Sequence, residues 1–201
     1  VKAAGPLDRN CVAVTLLLHH LDDRDVRQTM VRQWSEEHEH MCSTFPPDAR
    51  AYGKLFTPAG WNALADVMPA ALADHDDDWL QRSLDVPGYW VDMYTRRSRS
   101  GDTQFANNKA DAIRRFGIGE FNTAYVRALA TVGLSRGLTE GTVYRAGTAA
   151  EPRQRCSELE GQPVSLQCLI DDHRCYFPQP REPVAVPIPF GPNCHHSVTL
   201  R

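Results

Sequence analysis

Gly119-Glu120-Phe121-Asn122-Thr123-Ala124-Tyr125-Val126-Arg127-Ala128-Leu129-Ala130-Thr131-Val132-Gly133-Leu134-Ser135 is the stretch on which the fold turns. Phe121, Tyr125, Leu129 and Val132 recur at spacings of four, four and three, which places them on one face of a helix. Gly137 follows as a terminator. Directly afterwards Thr142-Val143-Tyr144-Arg145-Ala146 turns β-branched and aromatic, the composition of a short strand. Upstream, beyond Pro87-Gly88, residues 89–95 (Tyr-Trp-Val-Asp-Met-Tyr-Thr) have the same character and predict a second strand, and residues 96–102 predict a polar loop. Residues 86–175 therefore read as a strand–helix–strand unit.

The chain before this unit reads as helical. Asp8 or Asn10 is placed to cap a first helix bearing Val12, Leu16, Leu17 and Leu21. A second helix is predicted over residues 25–40, with Val26, Met30, Val31 and Trp34 on one stripe, and Pro46-Pro47 interrupts the pattern. Thr57-Pro58 is a start signal, an N-cap hydroxyl followed by proline at the first helical position. Trp61, Leu64, Ala65 and Met68 form the stripe of the helix that follows. Pro69 kinks it or opens a new turn leading to Trp79, Leu80 and Leu84. After residue 150 the chain holds eight of its 14 prolines. They keep residues 176–190 extended and out of a central strand, so that Tyr176, Phe177, Pro183, Pro187 and Phe190 are the expected interface residues of an arm lying on its own or a neighbouring surface. Residues 196–200 have the pattern of a final strand. The predicted fold class is α+β in a single domain over residues 1–201. Its parts are an N-terminal helical layer (1–85), a small sheet packed with one long helix (86–175) and a proline-rich extended arm (176–201).

Composition excludes several classes. With 201 residues, 42% apolar and 23% charged, the chain has the mix of a globular domain and length for one ordinary core. Its net charge of −3 lacks the basic excess of nonspecific nucleic-acid binding. No run approaches the ~20 apolar residues that span a bilayer; the longest, residues 11–18, contains Thr15 and lacks the flanks of a signal peptide. A soluble protein not exported by that route, with no membrane partner, is expected. Lys2, Lys54 and Lys109 are the only lysines, so the positive charge is carried by arginine, which suits planar multidentate contacts.

Phosphate-loop, dinucleotide, zincin and nucleophile-elbow motifs are absent, and no cofactor is implied. Cys11 lies where a helix start would lower its thiol pKa. Asn10-Cys11 followed by a helix, with His196-Ser197-Val198-Thr199 later, resembles the nucleophile and base segments of papain-like cysteine hydrolases, including toxin deamidases. That resemblance implies Cys11 as nucleophile and His196 or His195 as general base. His38-x-His40-x-Cys42 and the later Cys175 and Cys194 are soft ligands of the kind zinc takes; His38, Cys42, Cys175 and Cys194 make the alternative metal set, against a default of none. Asp74-His75-Asp76-Asp77-Asp78 fits a helix start better than a cation loop. Arg96, Arg97 and Arg99 beside Tyr89, Trp90 and Tyr94 are a candidate nucleic-acid contact. The six cysteines are expected as reduced thiols, with a disulfide among Cys156, Cys168, Cys175 and Cys194 as the competitor.

Residues 120–129, Val143-Tyr144-Arg145-Ala146, Pro152-Arg153 and Gly191-Pro192-Asn193 together resemble structural, head- or tail-associated proteins of tailed bacteriophages, over residues 85–201. The resemblance implies a non-enzymatic virion or assembly role, assembled in the host cytoplasm, through contacts with copies of itself or with a shell or connector protein. It carries over no catalytic residue. Arginine, tryptophan and tyrosine, types enriched at interfaces, are compatible with it.

Overall fold

The computed structural model describes residues 16–44, 55–91, 94–97, 103–106, 109–147, 157–171 and 195–200. The fold is α+β. Three helices come first: α1 (Arg24–Thr44), α2 (Pro58–Asp74) and α3 (Asp77–Leu84). Each begins on a side-chain oxygen that satisfies an otherwise unpaired N–H. Asp23 accepts from the Asp25 N–H at 2.9 Å, Thr57 from the Gly60 N–H at 3.2 Å, and Asp76 from the Trp79 N–H at 2.8 Å. The acidic run 74–78 is thus the end of one helix and the start of the next. α1 buries Val26, Met30, Trp34 and Met41. α2 contains Pro69 and still continues to Asp74. Ala65, expected on its apolar stripe, is exposed, because the buried positions run through Trp61, Leu64, Met68 and Ala71, and position 65 falls just outside that seam.

α2 is closed at its far end from outside. The Arg27 guanidinium, on α1, donates to the carbonyls of Ala71 (3.4 Å), Leu72 (3.1 Å) and His75 at the end of the helix, where intrahelical donors run out; the Ala71 carbonyl also accepts from the His75 N–H at 3.0 Å.

The predicted first helix is not present at residues 16–18. Leu16 and Leu18 are buried while Leu17 is 69% exposed, an alternation of extended chain. The Leu17 N–H donates to the Ala146 carbonyl at 2.7 Å. Residues 19–22 are turns that lead into α1. A run of three leucines suits either period, and here the neighbouring sheet supplies the partners that decide it.

A second correction concerns residues 89–95. Trp90 bridges Phe56, and its indole N–H donates to the Leu84 carbonyl at 2.7 Å. Its ring packs against Phe56 and Phe116 at centroid distances of 4.2 and 6.2 Å. The next strand, β1 (Tyr94–Arg97), pairs antiparallel with β2 (Thr103–Ala106). Arg96 and Arg97 therefore belong to a hairpin strand, opposite Gln104 and Thr103, and not to a loop.

α4 (Lys109–Ser135) starts ten residues before the predicted position and ends where expected, followed by Gly137 at φ 81°. From Phe116 to Val126 every position is buried, as in a helix enclosed on all sides. Its neighbours are α1, α3, the short α5 (Leu166–Asp171) and β5 (His196–Leu200). Close approach depends on glycine. A Cβ on Gly117 would lie 2.5 Å from Gln81 Cγ of α3, and one on Gly133 would lie 2.6 Å from Leu166 Cδ1 and 2.9 Å from Leu200 Cδ2.

The sheet has the order β4-β3-β5, all antiparallel, with β3 (Glu140–Arg145) central and β4 (Pro163–Ser165) and β5 outside. The predicted strands at 142–146 and 196–200 are both present. Val143 faces Val198 and Tyr144 faces Ser197 across the β3–β5 ladder. One apolar core runs from Met30 and Leu64 in the helices through Phe121 and Leu129 to Val143, Leu166 and Val198.

Candidate functional site at the outer edge of β5

Several polar side chains, Asp77, Asn122, Tyr125 and Tyr144 among them, converge on β5 and on the strap formed by residues 16–23. The Ala146 N–H donates to the His195 carbonyl at 2.7 Å, so the ladder bonds to β3 run through positions 195, 197 and 199. The backbone groups of 196, 198 and 200 then point away from β3. At both ends of that outer edge a side chain meets them. The Asn122 side-chain amide, on α4, donates to the His196 carbonyl at 2.7 Å. The Leu200 N–H donates to His20 Nε2 at 3.2 Å, with the Thr199 hydroxyl 3.0 Å from the same nitrogen.

The strap is held by two phenols and a carboxylate. The Tyr144 hydroxyl donates to the Leu17 carbonyl at 2.9 Å and accepts from the His19 N–H at 3.3 Å. The His19 ring stacks on the Tyr144 ring at 4.2 Å. The Tyr125 hydroxyl accepts from the His20 N–H at 3.1 Å. Burial raises the pKa of both phenols, and their proximity to each other raises that of Tyr125 further. The Leu16 N–H donates to Asp77 Oδ1 at 3.0 Å. Burial pushes the Asp77 carboxyl up to about 6, against the pull of that N–H, with Asp76 and Asp78 adding to the rise. Where the strap meets α1, Arg136 donates to Asp23 (2.6 and 3.2 Å) and Asp25 (2.6 Å). The guanidinium holds the Asp23 carboxyl below its ordinary value.

On the other side of β5, His196 is 3% exposed and its Nε2 lies 2.6 Å from Glu160 Oε1. His195 is buried as well, and its ring lies close over Gly147, where a Cβ would come within 2.7 Å of Nδ1. Of the two histidines proposed as general bases, His196 has the Glu160 carboxylate at its ring. Cys11 lies outside the described residues.

His38 and Cys42 meet on α1, with the sulfur 3.9 Å from both ring nitrogens. His38 is sandwiched between Trp34 and Trp61, at 4.7 and 5.4 Å. The Trp61 indole N–H donates to the Cys42 sulfur at 3.4 Å. The pair belongs to an aromatic stack joining α1 to α2. Among the described residues no three His, Cys, Asp or Glu side chains group as metal ligands. Cys175 and Cys194 fall outside those residues, as do Tyr176, Phe177, Pro183, Pro187, Phe190 and Arg99. Neither Cys42 nor Cys168 is in a disulfide. His20, Asn122, Tyr125, Tyr144, Asp77 and Glu160 escaped sequence reasoning, since each acts on a backbone or ring group far away in the chain. The chain matches no known family model, no curated protein and no solved structure. Among the described residues no helix is long and apolar enough to cross a membrane.

Proposed function

We propose that the chain is a non-enzymatic structural or assembly protein, a bacteriophage virion component that acts through self-association or contacts with a shell or connector protein. The observation that carries this reading is the way the sheet edges are blunted. β4 is three residues long and begins with Pro163, which cannot donate to a further strand. β5 has its outer carbonyl at His196 and its outer N–H at Leu200 occupied by Asn122 and His20. A component that meets its own copies at high local density must suppress strand-on-strand pairing, and short, proline-bearing or capped edges do so. Contacts with neighbours are then made by side-chain surfaces and by the proline-rich residues 176–190, as the resemblance to tailed-phage structural proteins implies.

Native mass spectrometry of the purified chain, with and without chelator, tests the proposal. A discrete oligomer of unchanged mass in chelator is the expected result. A chain that stays monomeric at every concentration and never joins a particle overturns it.

One observation favours a second reading, the papain-like cysteine hydrolase. The His196 ring is oriented by a carboxylate, Glu160, as a general base needs. In that case iodoacetamide at pH 7 alkylates Cys11 at least tenfold faster than Cys42 and Cys168. Equal rates remove this reading.

A further inference from the structure

We propose that His20 is a pH-operated latch, tying the strap of residues 16–23 to the outer edge of β5 when its ring is neutral and letting go when the ring is protonated. This goes beyond the assembly reading and does not depend on it.

The geometry fixes the protonation state in the closed form. A backbone N–H can only donate, so the ring nitrogen 3.2 Å from Leu200 N must carry a lone pair. Nε2 is therefore the acceptor and the ring proton sits on Nδ1. The Thr199 hydroxyl, 3.0 Å away, can turn its hydrogen toward the same lone pair. Adding a proton to Nε2 sets donor against donor at Leu200, and the strand edge loses its acceptor.

The groups around the ring oppose the charged form. From the strap, His19 is adjacent. From the end of α4, Arg136 faces it, and Asp23, an anion that favours a charged ring, is engaged with that guanidinium together with Asp25 of α1. Tyr125 of α4 and Tyr144 of β3, whose hydroxyls hold the strap, stay neutral. Among the described residues, β5 offers Thr199 and Leu200 at the contact. Burial, His19 and Arg136 together lower the His20 pKa from its ordinary 6.5, against the opposite effect of Asp23. A depressed histidine pKa means that closure is complete above pH 6.5 and is lost as the pH falls toward the lower, closed-form value. At pH 5, a released ring of ordinary pKa is protonated about thirty times more often than not. The ratio of closed to open latch therefore falls by up to about thirty-fold between pH 7.5 and 5. Asp77, at the other end of the strap, titrates in the same range with the opposite sign, so the readout must be local to Leu200.

Amide exchange resolved by NMR on the full chain provides that readout. Leu200 is expected to lose protection by ten- to thirty-fold, a range set by the ordinary histidine pKa, between pH 7.5 and 5, after correction for intrinsic exchange. The Val143 N–H, bonded to the Gln162 carbonyl in the interior of the sheet, should hold its protection. In His20→Gln the side-chain oxygen still accepts but does not titrate, and Leu200 protection should be flat with pH. Protection of Leu200 that is constant in the wild type, or that falls in step with Val143, overturns the proposal. Should His20→Gln fail to fold, the nitrogen shifts of the wild-type ring decide. An unprotonated Nε2 at pH 7.5 and a titration midpoint below 6.5 support the latch; a proton on Nε2 at pH 7.5 or a midpoint at or above 6.5 sinks it.

Discussion

Arg127→Ala is expected to lower the unfolding free energy by about 3 kcal/mol, the scale of a buried pair broken on one side. Arg127 projects from the enclosed helix α4 and pairs with Glu37 of α1, and the two side chains are 23% and 18% exposed. Their worth is asymmetric. Bringing both charges out of water costs much of what their attraction returns, so the intact pair adds little over well-packed apolar residues. Removing only the guanidinium leaves the Glu37 carboxylate half-desolvated against α4. The double replacement Arg127→Met with Glu37→Leu should therefore cost under about 1 kcal/mol, within the range of volume-conserving swaps. Urea unfolding followed by circular dichroism separates the cases. A loss below about 1 kcal/mol for Arg127→Ala would mean that the pair behaves as a solvated surface contact.

Asp77→Asn is expected to stabilise the protein above pH 6 and to leave it unchanged near pH 4. The Asp77 carboxyl is raised from 3.8 to about 6. Between those values the folded protein holds a proton that the unfolded chain has released. The stabilisation from that proton is complete below pH 3.8 and is gone above about 6. At pH 7.5 the wild type therefore carries a buried, ionised carboxylate. Asparagine removes the charge and keeps an oxygen for the Leu16 N–H. From the size of the shift the gain is about 1 to 3 kcal/mol at pH 7.5. Denaturant midpoints at pH 4, 6 and 7.5 check it, and a gain of the same size at all three would locate the effect outside the titration. Asp77→Ala serves as the contrast, since it leaves the buried Leu16 N–H without its acceptor, at a cost of about 1 to 3 kcal/mol.

Where a local signal was strong, the sequence could be read residue by residue. Thr57-Pro58 contains both devices that start α2, and Val26, Met30 and Trp34 carry the stripe that buries α1. α4 was half legible. Phe121, Tyr125, Leu129 and Val132 mark one face, but a helix buried on every side has no contrast between faces, and Gly117 looks like a break until α3 is seen packed against it. Leu16-Leu17-Leu18 misled for the same reason, because what decides it is the edge at Ala146. The site was legible only in the placing of His195 and His196 on or beside a final strand. Nothing local in His19-His20 announces a partner 180 positions away, and nothing near Glu160 points to His196. Contacts of that kind are set by topology, and a single sequence records them only as isolated polar residues.

That separation bears on the order in which the molecule can be made. α1 and α2 are near neighbours in the chain and can pair early, with Arg27 completing the second helix as soon as the first is docked. The sheet has no such option. Until residues 196–200 leave the ribosome, β3 has an open side and α4 has part of its apolar circumference facing water. The strap, synthesised among the first described residues, waits for the last of them. A nascent chain therefore keeps that adhesive surface in water until residues 196–200 emerge, and the pairing of β5 with β3 covers it in one step.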